Sequence, residues 1–314
     1  MTASKPILVA GEINVDWVFG DLTAMPAPNT EVLARDFHQV PGSSAMICAM
    51  GMARLGEDVA FVGCAGRDER GDFCIDALRA AGIDTSAVCR NAALTTGVTV
   101  SLSTRVDRAL VTLPGAIGAL TGDAVDDALL ARSRHLHVSS IYLQNALRPQ
   151  LADLFARAKA AGLTTSLDPG FDPSARWDDG IAWPALLQHV DVFLPNAREA
   201  CAIAHVDDVT DAFKAFANGT THLVIKCGAD GARYWPAGGE VVSASTRAAG
   251  GVHDSTGAGD SFDAGFLHAW LAGLPPSQCL AWGNACGSLS MRALGGTGSQ
   301  PDATEVAAWL GATA

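Results

Sequence analysis

Between Asp254 and Asp260 the chain reads DSTGAGD, which sets Gly257, Ala258 and Gly259 between two carboxylates. An apolar segment follows at once, with Phe262 and Phe266 one turn apart, and runs to Gly273 ahead of Pro275 and Pro276. The spacing predicts a helix that begins at the small residues. Small residues before a helix N-terminus leave backbone N–H groups open and let an anion approach. A carboxylate beside that anion can act as a base. An anion hole with a base is what phosphoryl transfer to a hydroxyl needs. Spacing alone leaves a second reading open, a tight turn capped by two acids. A dinucleotide fingerprint is disfavoured, because Gly257 and Gly259 lie late in the chain and are followed by Phe262 rather than a third glycine.

Such groups need a rigid frame. Apolar runs at 7–10, 59–62, 135–138, 163–167, 190–194 and 222–225 read as strands, and most are closed by glycine or a turn. Helical patterns at 44–55, 73–81 and 149–161 end at Gly56, Gly82 and Gly162. The alternation predicts an α/β fold, a mainly parallel sheet with helices on both faces. Residues 31–40 and 96–112 break the rhythm with β-branched, partly alternating residues and are expected to form a small antiparallel sheet beside the main one, serving as a lid. The last third is helical, with one helix over 277–294 and another opened by Pro301, where Asp302 and Glu305 stand at capping-box spacing. Residues 177–183 read as a surface loop.

The chain has 314 residues, 49% of them hydrophobic, enough for one large domain over 1–314. Its net charge is −12 with no basic cluster, so neither nucleic acid nor an anionic membrane is expected as a partner. No secretory signal is evident, and no apolar run approaches the ~20 residues that span a bilayer. The eight cysteines form no CxxC pair and read as buried thiols of a cytoplasmic protein.

DSTGAGDSFDAGFL resembles the C-terminal signature of the PfkB carbohydrate kinases, the ribokinase-like family. Pro41, Gly42, Ala49, Arg54, Leu55, Gly56, Phe61, Val62, Gly63, Gly66, Asp68, Gly71, Leu78 and Gly82-Ile83-Asp84 resemble its N-terminal signature. The resemblance runs from Gly11 to about Pro301. It implies a three-layer sandwich with a mainly parallel central sheet and a small antiparallel β lid, formed here by about 12–40 and 96–113. It also implies ATP- and Mg2+-dependent phosphorylation of a small sugar, and a homodimer made through the lid.

By the same resemblance Asp260 is the base, and Gly257, Ala258 and Gly259 form the anion hole for the γ-phosphoryl group. Asp254, Thr256, Ser290, Ala293, Gly295 and Ser299 fall where relatives hold a monovalent cation, K+. Asn196 and Glu199 match the NxxE motif. An amide and a carboxylate at that spacing can orient hydrated magnesium, and they can equally cap a helix. Lys226, Gly228 and Gly231 resemble the nucleotide loop, and Asn284 the adenine pocket. Asn14 and Asp16 match the pair that binds sugar hydroxyls, a role that suits a carboxylate accepting from two hydroxyls. Gly42, Ser43, Ile47 and Gln144 belong to the same end, with Asp168 a further neighbour. Ser43 stands where the family has a second glycine, and Ile47 where many members have asparagine. Ile47, Met46 and Met50 would suit the flat base of a nucleoside, so a nucleoside kinase is the alternative, and a catalytically silent ligand-binding relative is another. Arg105 and Arg108, in the lid, could meet an anionic substrate or simply be solvated.

Overall fold

Short apolar runs, buried on both faces, build the main sheet of this computed structural model, which describes residues 5–104, 108–177, 180–250 and 254–312. The chain begins with β1 (Ile7–Ala10), β2 (Asn14–Gly20) and β3 (Asp36–Pro41), then α1 (Ser44–Arg54), β4 (Val59–Val62), β5 (Cys64–Gly66), α2 (Glu69–Ala80) and β6 (Cys89–Asn91). It continues through β7 (Gly97–Ser103), β8 (Arg108–Leu113), α3 (Asp127–Ala131), β9 (His135–Ser139), α4 (Leu151–Ala160), β10 (Thr164–Asp168) and α5 (Trp183–Leu187). Next come β11 (Val192–Phe193), α6 (Ala197–Ala204), α7 (Val209–Phe216), β12 (His222–Lys226), β13 (Ala232–Trp235) and β14 (Val242–Ala244). Three helices close the chain, α8 (Ala258–Leu271), α9 (Pro276–Ser290) and α10 (Ala303–Gly311).

The main sheet has the order β14-β13-β12-β11-β10-β9-β1-β4. Its pairs are parallel from β4 to β12, and β13 and β14 are added antiparallel. Alternate residues of each strand feed opposite cores, as a two-residue period requires. Leu8, Leu136, Leu167 and Phe193 face one core with α4, α6 and α7. Ile7, Val9, Phe61 and Val224 face the other with α1, α2 and α8. The result is the expected three-layer α/β sandwich.

A second sheet has the order β3-β2-β7-β8. Its outer pairings are antiparallel, as expected for the small sheet, while the central β2–β7 pair runs parallel. Parallel pairing follows from the long segment between the two strands, which includes α1 and α2. On one face of this sheet lie Asn14 and Asp16 of β2, Thr99 and Ser101 of β7, and Thr112 of β8.

Several local expectations change. The helix expected over 277–294 stops at Ser290, and the chain beyond it turns at Gly295 (φ +78°), whose N–H donates to Asp254. Strand β3 starts at Asp36, not near residue 31. Trp177 is buried against Tyr142 and Phe171 instead of sitting on a surface loop, and Trp183 opens α5. Asp178 and Asp179 of that loop lie outside the described residues, as do Arg105 and the Arg108 side chain. The capping box of α10 forms as its spacing implies, with Asp302 and Glu305 bonding each other's backbone N–H.

Candidate active site

The parallel strands end on one edge, and the polar residues just past them converge there, as in open α/β sheets generally. Glu12 follows β1, Asp168 ends β10, Asn196 follows β11 and Lys226 ends β12. Helix α8 begins against this edge. Its N-cap is Gly257 at φ +71°, a conformation other residues adopt only with strain, and no side chain caps the helix. Among the described residues no partner is seen for the N–H of Gly257 or Gly259, whereas Ala258 donates to Ser255 O at 3.3 Å. Of the three amides expected to form the hole, that of Ala258 is therefore partly engaged within the turn.

Two cavities meet at this N-terminus. One, of about 440 Å³, is lined by Lys226, Gly228, Gly231, Ala258, Gly259 and Asn284. The other, of about 220 Å³, is lined by Glu12, Asn14, Asp16, Ser43, Ile47, Thr256, Gly257 and Asp260, with Thr99, Ser101, Leu110 and Thr112 of the second sheet above them. A group passing between the cavities crosses the open end of α8, where the helix dipole favours negative charge. Asp260 faces the smaller cavity. Burial, followed by the neighbouring Asp168 carboxylate, pushes its carboxyl up to about 6, while Lys226 and the Ser44 hydroxyl pull the other way.

In the smaller cavity Asn14 Nδ2 donates to Asp16 Oδ1 at 2.8 Å and to Thr99 Oγ1 at 3.3 Å. Gly42 lies directly beneath: a Cβ there would sit 2.0 Å from Asp16 Oδ1. Ser43 holds φ +70° and ψ 143°, a region that is essentially glycine's. Its hydroxyl donates to Glu12 O at 2.8 Å and accepts from Met46 N at 3.1 Å, so it caps α1. Ile47 is buried against the turn, 3.0 Å from where a Cβ of Gly257 would lie. Gln144 does not line the cavity. Its amide is turned to the end of β9, donating to Ser139 O at 2.6 Å and Ser140 O at 3.1 Å. Met46 is fully buried in the core and neither it nor Met50 lines the cavity.

Around the larger cavity, Asn284 donates to the carbonyls of Ala244 and Ser245, so it braces β14 as well as lining the wall. Asn196 and Glu199 form a reciprocal capping box at 2.9 Å each way, the helix-capping geometry that their spacing allows. Burial, then the Asp168 charge, raises the Glu199 carboxyl to about 7. Lys226 does not project freely into the cavity. Its Nζ bonds Asp168 Oδ2 at 2.8 Å and both oxygens of Asp263 at 3.1 Å.

The residues expected to hold a monovalent cation fall in two joined turns. Asp254 Oδ1 accepts from Thr256 N and Oγ1, and Oδ2 accepts from Gly295 N at 3.0 Å. Ser299 donates to Ser290 O at 2.6 Å, Ser290 donates to Gly287 O, and Ala293 lies on the loop between them. Much of the oxygen set is thus already bonded within the protein.

Sequence reasoning missed three site residues. Glu12 is a buried wall of the smaller cavity whose Oε1 accepts from Ser44 N at 3.3 Å and whose Oε2 has no hydrogen-bond partner among the described residues. Burial drives its carboxyl up to about 8, against the pull of Ser140 and Ser44. Its one sequence signal is an acid just past an apolar strand. Asp263 stands one turn after Asp260, so the i,i+3 spacing could have found it. Ser44 touches both Glu12 and Asp260, and nothing local marks it.

A family model described as pfkB family carbohydrate kinase matches residues 4–303. An ATP-dependent ribose-1-phosphate kinase of Halopiger xanaduensis is 31% identical over 97% of this chain and 97% of its own length. Among solved structures, Arabidopsis thaliana ribokinase complexed with ribose and ATP is similar with a TM-score of 0.81 and 22% identity, over 98% of this chain and 99% of that one. A protein from E. coli in complex with ATP and Mg2+ reaches a TM-score of 0.85 at 22% identity, over the same shares of the two chains. The chain belongs to the pfkB family of carbohydrate kinases.

Proposed function

We propose that this enzyme transfers the γ-phosphoryl group of ATP to a hydroxyl of a small sugar held in the smaller cavity. The observation that carries this reading is the shared N-terminus of α8: Ala258 and Gly259 face one cavity, while Gly257 and Asp260 face the other. Asn14 and Asp16 receive sugar hydroxyls, with Thr99 and Thr112 above them on the second sheet. That sheet acts as a lid whose closure excludes water and suppresses ATP hydrolysis. Asp260 takes the proton of the attacking hydroxyl while the open end of α8 stabilises the charge on the migrating group. The Gly228–Gly231 turn and Asn284 border the nucleotide.

The donor set fits a divalent cation. Asp168, Asp260 and Asp263 place carboxylate oxygens within 4.8 Å of one another, and Glu199 adds a further, buried acid beside the ammonium of Lys226. Glu199, through water, would hold Mg2+ with Asn196 beside it, and the ion supplies charge neutralisation for the phosphates. The turns at Asp254–Thr256 and Ser290–Ser299 would accommodate K+ through backbone carbonyls.

A second reading, a nucleoside acceptor, is favoured by Leu110, Ile117 and Leu143, which give the smaller cavity an apolar side. We also infer a homodimer through the second sheet, whose Phe37, Val111 and Leu113 are 52%, 63% and 55% exposed. The eight free thiols suit a reducing compartment, and we assign the protein to the cytoplasm. No helix among the described residues is long and apolar enough to cross a membrane.

The test is a thermal-shift screen of pentoses, hexoses, sugar phosphates and nucleosides in the presence of a non-hydrolysable ATP analogue, followed by ADP-release assays on the compounds that stabilise. A sugar or nucleoside that both stabilises the protein and drives ADP release supports the proposal. Ligand stabilisation with no ATP turnover across the panel overturns it.

A further inference from the structure

We propose that Lys226 is a built-in cation of the phosphoryl-transfer site, carried across the sheet by Asp168 and Asp263 so that its ammonium meets the γ-phosphoryl group beside Gly259. The inference rests on the kinase reading above and adds a group to it. Strand β12 ends at Lys226, and Asp168 ends β10, two strands away across β11. Strand β11 is two residues long at this point, and the lysine side chain passes its end to reach Asp168 Oδ2 at 2.8 Å. From the other side, Asp263 of α8 holds the same Nζ with both oxygens at 3.1 Å. The two carboxylates come from different layers of the fold, and together they fix the ammonium in place.

That position is next to the anion hole. Nζ lies 3.7 Å from where a Cβ on Gly259 would be, and Lys226 borders the larger cavity together with Ala258 and Gly259. An ammonium has three N–H donors. One is committed to Asp168, and a single N–H bifurcated between the two equally long contacts to Asp263 leaves the third for an anion. Carboxylates at Asp168, Asp260 and Asp263 lie within 4.8 Å of one another beside the anion hole, and the ammonium adds its charge to that of the magnesium in offsetting their repulsion of a phosphoryl group. A lysine acts there as a point charge on phosphate oxygens. The adenine end of the nucleotide, near Asn284, would not sense it.

The role therefore has a signature that a merely structural ion pair lacks: it discriminates nucleotides by their terminal phosphate. Isothermal titration with Mg2+-AMP-PNP and with Mg2+-ADP is the measurement. In Lys226→Met the affinity for AMP-PNP is expected to fall about 10- to 100-fold, the value of one charge-assisted hydrogen bond, while that for ADP changes by less than about twofold. Removing one partner of a buried pair can unfold a protein, so the double variant Asp168→Asn/Lys226→Met, which removes the ammonium with one of its two carboxylate partners, is titrated alongside. Lys226→Arg, which keeps the charge, should restore part of the discrimination. Equal losses for both nucleotides, or no loss for either, would overturn the proposal. Wild-type protein that binds neither nucleotide would overturn the kinase reading along with it.

Discussion

Asn14 donates its side-chain amide to the carboxylate of Asp16 across 2.8 Å, and both groups close over a backbone that has no room for a side chain. A methyl on Gly42 would lie 2.0 Å from Asp16 Oδ1 and 2.6 Å from Asn14 Nδ2, so both would have to leave. Gly42→Ala is expected to weaken binding of the sugar by at least about tenfold, the loss of one or more hydrogen bonds to a charged group, with nucleotide affinity unchanged. Calorimetry with the acceptor and with an ATP analogue checks it. Unchanged sugar affinity would remove the pair from the binding site.

As the proposed base, Asp260 would act only as its carboxylate. Its carboxyl is raised from the usual value to about 6, so the limb of kcat/KM that falls with acidity should have its midpoint near pH 6, with activity lost below it. Asp260→Asn should lower kcat about 10²- to 10⁴-fold with ATP binding intact. Near-normal turnover by the variant would reassign the base.

Ser43 combines a conformation suited to glycine with two hydrogen bonds that only a hydroxyl can make. Ser43→Ala keeps the backbone strain and loses the cap, whereas Ser43→Gly loses the cap and relieves the strain. Glycine should therefore be the more stable of the two by roughly 1–3 kcal/mol. Urea unfolding midpoints compare them directly. Equal stability would mean that the positive φ at this position carries no strain.

Glu12 makes stability depend on pH. Its carboxyl titrates near 8 in the folded chain, well above the ordinary 4.5, so its contribution is complete below pH 4.5 and is lost as pH rises through about 8. Glu12→Gln keeps an oxygen for the Ser44 amide and has no charge to bury. Between pH 6 and 9 the wild type should lose roughly 2–3 kcal/mol more than the variant, read as a steeper fall in melting temperature. Parallel pH profiles for the two proteins would show that Glu12 ionises freely.

Much of this architecture can be read locally. The strands at Ile7, Val59, His135 and His222 are apolar runs with turn signals at their ends, and Gly257 and Asp302 mark the starts of α8 and α10. Strands β13 and β14 escaped, because they are short and carry polar residues such as Arg233 and Ser243. The end of α9 escaped for a different reason. Residues 291–294 have helical composition, yet they lie in a turn held from outside by the bond of Gly295 to Asp254, 41 positions away. The site divides the same way. Asp260, Asn14 and Asp16 carry their chemistry in their own motifs, whereas Ser44 acquires its contacts only when α1 meets α8. The Gln144 side chain could face either the cavity or the end of β9, and its bonds to the Ser139 and Ser140 carbonyls turn it to β9.

In the central β2–β7 pairing of the second sheet, the partners Asp16 and Thr99 are separated along the chain by β3, α1, β4, β5, α2 and β6. Closing such a pairing costs a long loop's entropy. The second sheet over the smaller cavity is therefore not a cassette that could be excised, transplanted or added to a finished core. Its strands are interleaved with the main sheet along the chain, so a truncated protein without it would lack part of the scaffold as well, and a newly made chain should bind its sugar only once the whole fold has closed.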